Sequence, residues 1–272
     1  MIGAVCGDIL GSTYEFGIGN EEVYLLHEED HFTDDSVLTF ALAEWALEYG
    51  KVPLGDSEHK YLLAKNFFDF TERYPDRAYG WMFIEWIDKY EKTGEIPLPN
   101  NSYGNGSAMR VSPVAYVFDE IEKVEKYARL QAEVTHDNSE GIRGACAIAA
   151  ATKLALDGYD KDTIKDYISN KYYYDLSPSI EEIKVKRGRF SASCMATVPQ
   201  ALVAFLSGND YCDVIDKAIS IGGDCDTVAA MAGGIAFAYY KKIPEEILTH
   251  CLDCLDERLL NIYYKFKEVY ID

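Results

Sequence analysis

Apolar residues in this chain recur at three- and four-residue steps almost from end to end, and nowhere do they alternate over the length of a strand. That regularity restricts the fold to helices packed on helices. The segment 33–49 shows it most clearly. Val37, Leu38, Ala41, Leu42, Trp45 and Ala46 fall at helical spacing, and Thr33 is suited to the N-cap. Asp34 and Asp35 sit at the positive end of the helix dipole, and Gly50 is a natural stop. The same pattern predicts helices over 58–73, 80–91, 120–134, 139–157, 160–170, 197–207, 210–220, 226–241, 244–254 and 256–269. Gly158, Gly208 and Gly222 stand where helices should end. Residues 184–190 are the one candidate for an extended piece, and their charge favours a loop. The loosest stretches, 94–106 and 172–192, lack the composition of a linker, and no repeat is visible. The expectation is one all-α domain over residues 1–272, with ten or more helices.

Two of these helices are unusually rich in small residues, GACAIAAA at 144–151 and AAMAGGIAFA at 229–238. A helical glycine costs roughly 1 kcal/mol relative to alanine, so Gly233 and Gly234 imply close helix–helix contact at the centre of the bundle. Gly3, Gly7 and Gly11 form a second smooth ridge, repeating every four residues. With 48% hydrophobic and 13% aromatic residues the chain has enough apolar material for a large core, which excludes disorder.

Charge and cysteine usage narrow the setting. Lys and Arg number 26 against 46 Asp and Glu, a formal charge of −20. Such a surface disfavours long nucleic acids and anionic membranes as partners; acid clusters otherwise bind cations or simply keep a protein soluble. No apolar run has the roughly 18–20 residues of a membrane span. The first residues meet a charge at Asp8 without a basic segment before it, unlike a signal peptide. Seven scattered cysteines fit a reduced, cytoplasmic setting, and Cys251 and Cys254 read as buried helical thiols.

Five short segments carry candidate chemistry. Thr33-Asp34-Asp35-Ser36 and Gly222-Gly223-Asp224-Cys225-Asp226-Thr227 each offer two carboxylates and a threonine at the entry to an apolar helix. Either alone is more often an ordinary helix start. If the two starts meet, however, four carboxylates and two Thr hydroxyls surround one space. Hard oxygen donors in that number suit Mg²⁺, Mn²⁺ or Ca²⁺ rather than Zn²⁺, and bare carboxylates so close would repel one another. In the segment 7–15, Asp8 and Glu15 would share one face of a continuous helix. The turn Gly104-Asn105-Gly106-Ser107 leads into a helix with Met109 and Arg110, and its N–H groups suit an anion. No P-loop lysine accompanies it, which argues against nucleotide triphosphate hydrolysis. Thr135-His136-Asp137 is a polar break between helices.

Taken in order, GDILGSTYE at 7–15, TDDS at 33–36, GNGSAMRVSP at 104–113, TH at 135–136 and GGDCDT at 222–227 resemble the ADP-ribosylglycohydrolase family. That family includes the dinitrogenase-reductase-activating glycohydrolase and the ADP-ribosylarginine and ADP-ribosylserine hydrolases. The resemblance implies a single orthogonal multi-helix bundle with a binuclear Mg²⁺ or Mn²⁺ site. It implies Thr33, Asp34, Asp35, Asp224, Asp226 and Thr227 as metal ligands, and Glu15 beside the metals and the scissile ribose. Glu15, with Asp35 and Asp226, forms the implied catalytic set. Gly104, Asn105, Gly106, Ser107 and Met109 would line the ADP-ribose cleft, with His136 on the substrate side. Ser36 stands where Thr is usual, and Cys225 replaces a common Thr. The implied reaction is hydrolysis of the C1″ linkage of an ADP-ribosylated protein, arginine being the first choice. The alternatives are a small derivative such as O-acetyl-ADP-ribose as substrate, or a non-catalytic ADP-ribose binder.

Overall fold

The computed structural model describes residues 1–19, 22–185 and 190–272. Its helices, in chain order, are α1 (Ile2–Gly11), α2 (Asp34–Tyr49), α3 (Asp56–Arg73), α4 (Trp81–Thr93), α5 (Gly106–Met109), α6 (Val114–Val117), α7 (Ile121–Ala132) and α8 (Ser139–Leu156). They continue with α9 (Lys161–Tyr172), α10 (Ile180–Ile183), α11 (Cys194–Ser207), α12 (Tyr211–Ser220), α13 (Cys225–Tyr240), α14 (Glu245–Asp253) and α15 (Glu257–Tyr270). The molecule is all-α, and the eleven helices the periodicity predicts are present with ends displaced by at most three residues. Thr33 caps α2 as its sequence suggests, its hydroxyl accepting from Asp35 N at 3.3 Å.

Helix α13 lies at the centre. It packs most extensively on α1 and also meets α8, α11 and α12. Both the α13 and the α8 small-residue stretches are buried, because a helix surrounded by helices has no solvent face on which polar side chains could stand. The ridge of α1 is pressed on α13 so closely that a Cβ at Gly3 or Gly7 would overlap the carbonyl of Gly233 or Ala229. The backbone of α1 therefore rides directly on the backbone of α13. This contact fixes where the first turn of α13 stands relative to α1.

Two features differ from the sequence expectation. Helix α1 ends at Gly11 and tightens into a 3₁₀ turn, Ser12–Tyr14, so Asp8 and Glu15 are not on one continuous helix. A two-stranded antiparallel sheet is also present. Strand β1 (Gly17–Ile18) pairs with β2 (Gly222–Gly223), with Gly17 opposite Gly223. Gly222 and Gly223 hold φ at +79° and +84°, a region in which a Cβ is strained and glycine is at ease. Such a short strand carries no alternation to read. The extended piece considered at 184–190 lies largely outside the described residues, although Val185 N donates to Ile221 O at 2.6 Å. Cys251 is a buried helical thiol, whereas Cys254 follows α14 and is half-buried. No helix is long and apolar enough to cross a membrane among the described residues.

Candidate active site

The starts of α2 and α13 meet. Thr227 Oγ1 donates to Asp35 Oδ2 at 3.0 Å, joining residues 192 positions apart. Asp8, from the buried body of α1, completes a group with Asp35 and Asp226 in which one carboxylate oxygen from each lies within 4.8 Å of the others. Glu15, Asp224 and Asp226 form a second such group, so Asp226 belongs to both. Glu15 is carried by the chain just after the 3₁₀ turn. There Phe16 N donates to Gly223 O at 2.9 Å, tying Glu15 to the loop that bears Asp224.

Asp8 was not among the ligands expected from the sequence, yet it organises the site. Its carboxylate accepts from Thr33 Oγ1 at 2.6 Å, Thr33 N at 3.0 Å, Ser36 N at 3.1 Å and Ser36 Oγ. It thus holds the first turn of α2 against α1. Thr33, expected as a ligand, has its hydroxyl committed to Asp8 and to the cap of α2. Asp34 lies half-buried at the cleft wall and belongs to neither three-residue group. A signal for Asp8 was available: an acid inside an apolar, glycine-ridged helix is buried at a cost unless it finds donors or a cation.

The electrostatics fit a cation site. Burial first, then the neighbouring carboxylates, raise Asp34, Asp35 and Asp226 well above the usual carboxylate range. Burial also raises Asp8 and Asp224, opposed at Asp8 by the Ser36 and Thr33 bonds and at Asp224 by Asn105. Glu15 is pushed up to about 7 by burial, then by Asp224 and Asp8. Asp35 Oδ1 is buried with no hydrogen-bond partner among the described residues. Charged oxygens gathered this way, one of them unpartnered, are the donor set of hard divalent cations.

Glu15, Asp34, Asp35, Asp224 and Asp226 form the floor of a cleft of about 460 Å³, the size of a small-molecule site. Its walls include Phe83, Met109 and His136, and its mouth carries the exposed rings of Trp81, Tyr103, Phe16 and Phe190. Phe16 and Phe190 rest on one another at 4.8 Å between centroids. Of the expected substrate residues, Gly104, Asn105, Gly106, Met109 and His136 line the cleft. Ser107 does not: it is fully buried, and its hydroxyl donates to Gly141 O at 2.8 Å instead of capping α5. The expected row of free N–H groups is shortened too, because Gly104 N donates to Ser102 Oγ and Asn105 N to Ala192 O. Asn105 turns its amide inward and donates to Asp224 Oδ2 at 2.7 Å. Arg110 and Thr135, present in the quoted segments but given no role from the sequence, also reach the cleft.

Fold and site together define an all-helical hydrolase whose cleft is floored by converging carboxylates. The chain belongs to the ADP-ribosylglycohydrolase family, whose model matches residues 1–269. It is 28% identical to the human ADP-ribosylhydrolase ARH3, across 97% of this chain and 93% of that protein. It is 26% identical to the ADP-ribosylarginine hydrolase Tri1 of Pseudomonas putida, across 88% of this chain and 69% of that protein. Among solved structures, an ADP-ribosylglycohydrolase-related protein complex shares the fold with a TM-score of 0.75 at 22% identity, covering 98% of this chain and 94% of that one. Membership makes the chain a glycosidase of the ADP-ribosyl type, in a metal-dependent family.

Proposed function

We propose that the chain hydrolyses the C1″ linkage of an ADP-ribosylated protein or of a small ADP-ribose derivative, using two divalent cations, Mg²⁺ or Mn²⁺. The observation that supports this most directly is the meeting of Glu15, Asp35, Asp224 and Asp226 from three separate segments at the floor of one cleft, with buried Asp8 beside Asp35 and Asp226. Asp8, Asp35 and Asp226 would hold one cation and Asp224 with Asp226 the other. Asp34 and Thr227 border the same space, and Thr33 reaches it only through Asp8. Bound there, the cations would polarise ribose hydroxyls and a water. Glu15 stands at the edge of the group, half-buried, and is the residue placed to give or take a proton at the scissile bond. Asn105 fixes the carboxylate of Asp224, and the aromatic mouth offers flat surfaces for an adenine.

The arginine linkage expected from the sequence draws no preference from the relatives, which carry both the general name ADP-ribosylhydrolase and the arginine-specific one. We therefore propose the reaction class and leave the leaving group to assay. A panel of arginine-, serine-, O-acetyl- and nucleic-acid-linked ADP-ribose, with Mg²⁺, Mn²⁺ or EDTA, should show metal-dependent turnover of at least one member. Asp226→Ala should abolish it. Turnover that persists in EDTA-treated Asp226→Ala protein overturns the proposal. Tight ADP-ribose binding with no turnover of any member would instead identify a binding protein.

A further inference from the structure

His136 sits in the cleft wall at 5% exposure, and its surroundings determine which ring nitrogen carries the proton. Nδ1 lies 2.7 Å from Thr135 Oγ1. That same oxygen accepts from Arg110 Nη2 at 2.9 Å. Arg110 has no freedom to do otherwise. It is fully buried, its Nε donates to Gln131 Oε1 at 2.8 Å, its Nη2 also donates to Gln131 O at 3.1 Å, and its Cζ lies 4.3 Å from the centre of the Phe67 ring. Gln131 is oriented in turn, because its amide donates to Ser107 O at 2.7 Å. A guanidinium only donates, so the Thr135 oxygen must accept from it. A hydroxyl has a single hydrogen to give. Nδ1 is the one acceptor that the Thr135 hydroxyl meets among the described residues. The hydrogen therefore goes to Nδ1, which leaves the ring proton on Nε2.

Nε2 is at the ring edge that faces the cleft turn, beside Cε1. It lies 3.8 Å and 3.7 Å from where a Cβ would stand on Gly104 and Gly106, both cleft residues. We propose that Arg110 and Thr135 are positioning residues that fix the tautomer of His136, so that it presents Nε2–H to the cleft as an uncharged donor for an acceptor oxygen of the ADP-ribosyl group. The assignment of that ligand rests on the reading in the preceding subsection; the tautomer does not. Burial, then the Arg110 charge, push the imidazole down to about 3, so it stays neutral across the working range of pH. His136 is thereby placed as a neutral binding donor. Arg110 Nη1, buried in the same wall with no partner among the described residues, is a second donor at this edge.

The test uses the full chain loaded with Mg²⁺. Ring ¹⁵N shifts of His136 should show an unprotonated Nδ1 and a protonated Nε2, unchanged between pH 5.5 and 8.5. Thr135→Val, which keeps the shape and removes the hydroxyl, should give mixed tautomer shifts and weaken ADP-ribose binding about two- to fivefold, the factor by which the Nε2–H form is depopulated. Thr135→Ser should restore both. Combined with His136→Phe, Thr135→Val should add little, because both act through one donor. A protonated Nδ1 in the wild type, or wild-type affinity in Thr135→Val, overturns the proposal. If the wild type binds no ADP-ribose at all, the functional reading and the ligand named here both fail, while the ring shifts still decide the tautomer.

Discussion

At the scale of single residues, Asp8 separates two roles that coincide in one carboxylate. Four donors of Thr33 and Ser36 converge on it, and it also faces Asp35 and Asp226. Asp8→Ala leaves those buried donors without an acceptor and should cost about 3 kcal/mol in urea denaturation. Asp8→Asn keeps one carbonyl oxygen and most of the packing. It should fold with a loss of about 1 kcal/mol yet bind divalent cations far more weakly, as titration calorimetry would show. Equal stability losses in the two variants would mean that the charge, rather than the donors' need for an acceptor, holds α2. Sequence pattern pointed to the Asp pairs because two acids at a helix start are visible as a motif. Asp8 stood inside an apolar helix, and only its burial reveals its task. Ser107 shows the converse: a serine in a glycine turn has the form of a cap, but it lies inside α5, with Asn105 at the cap position, and its hydroxyl bonds Gly141 O.

Elements carry the precision of the site. The periodicity of long helices was legible because each buries one face, and that face repeats every three or four residues. The short pieces α6 and α10, the end of α5 after four residues and the two-residue strands were not, because their conformation is set by neighbours rather than by any pattern of their own. Contact between α1 and α13 matters most, since α1 ends near the residue that α13 must place. A Cβ on Gly11 would fall 2.6 Å from Asp226 Cα, and one on Gly7 would meet the carbonyl of Ala229. Gly7→Ala should therefore force the helices apart and destabilise the fold by about 3 kcal/mol. Gly11→Ala should lower activity more than stability, because the group it displaces is Asp226. Gly55→Ala, whose Cβ would meet only Glu58 Oε2 at 3.4 Å, is the control: at the N-cap of α3 it should cost less than about 1 kcal/mol and leave turnover unchanged. A Gly7→Ala protein with an unchanged melting temperature would show that α1 can slide on α13 freely.

Across the whole molecule, the −20 charge sets the background, but the six buried or half-buried acids of the site set the pH response. All six are raised in the folded chain, so without metal the folded state holds protons that the unfolded chain has already released. In that window, from about 4 upward and through about 7 for Glu15, stability falls as pH rises. His136 works in the opposite sense: it is held near 3, so the unfolded chain takes up its proton first and folding is favoured as pH rises towards the usual imidazole value. A divalent cation replaces the protons on the acids and leaves His136 untouched. The difference in melting temperature between Mg²⁺ and EDTA therefore isolates the acid cluster. It should be small at pH 5, where protons already neutralise the site, and large at pH 8, where only the cation can. Asp35→Asn sharpens the test. It keeps an acceptor for Thr227 and removes one charge from the crowd, so in EDTA at pH 8 it should melt above the wild type, while its response to Mg²⁺ should shrink. A magnesium effect of equal size at pH 5 and pH 8 would place the cation elsewhere on this acidic protein, away from the carboxylates that α1, α2 and α13 bring together.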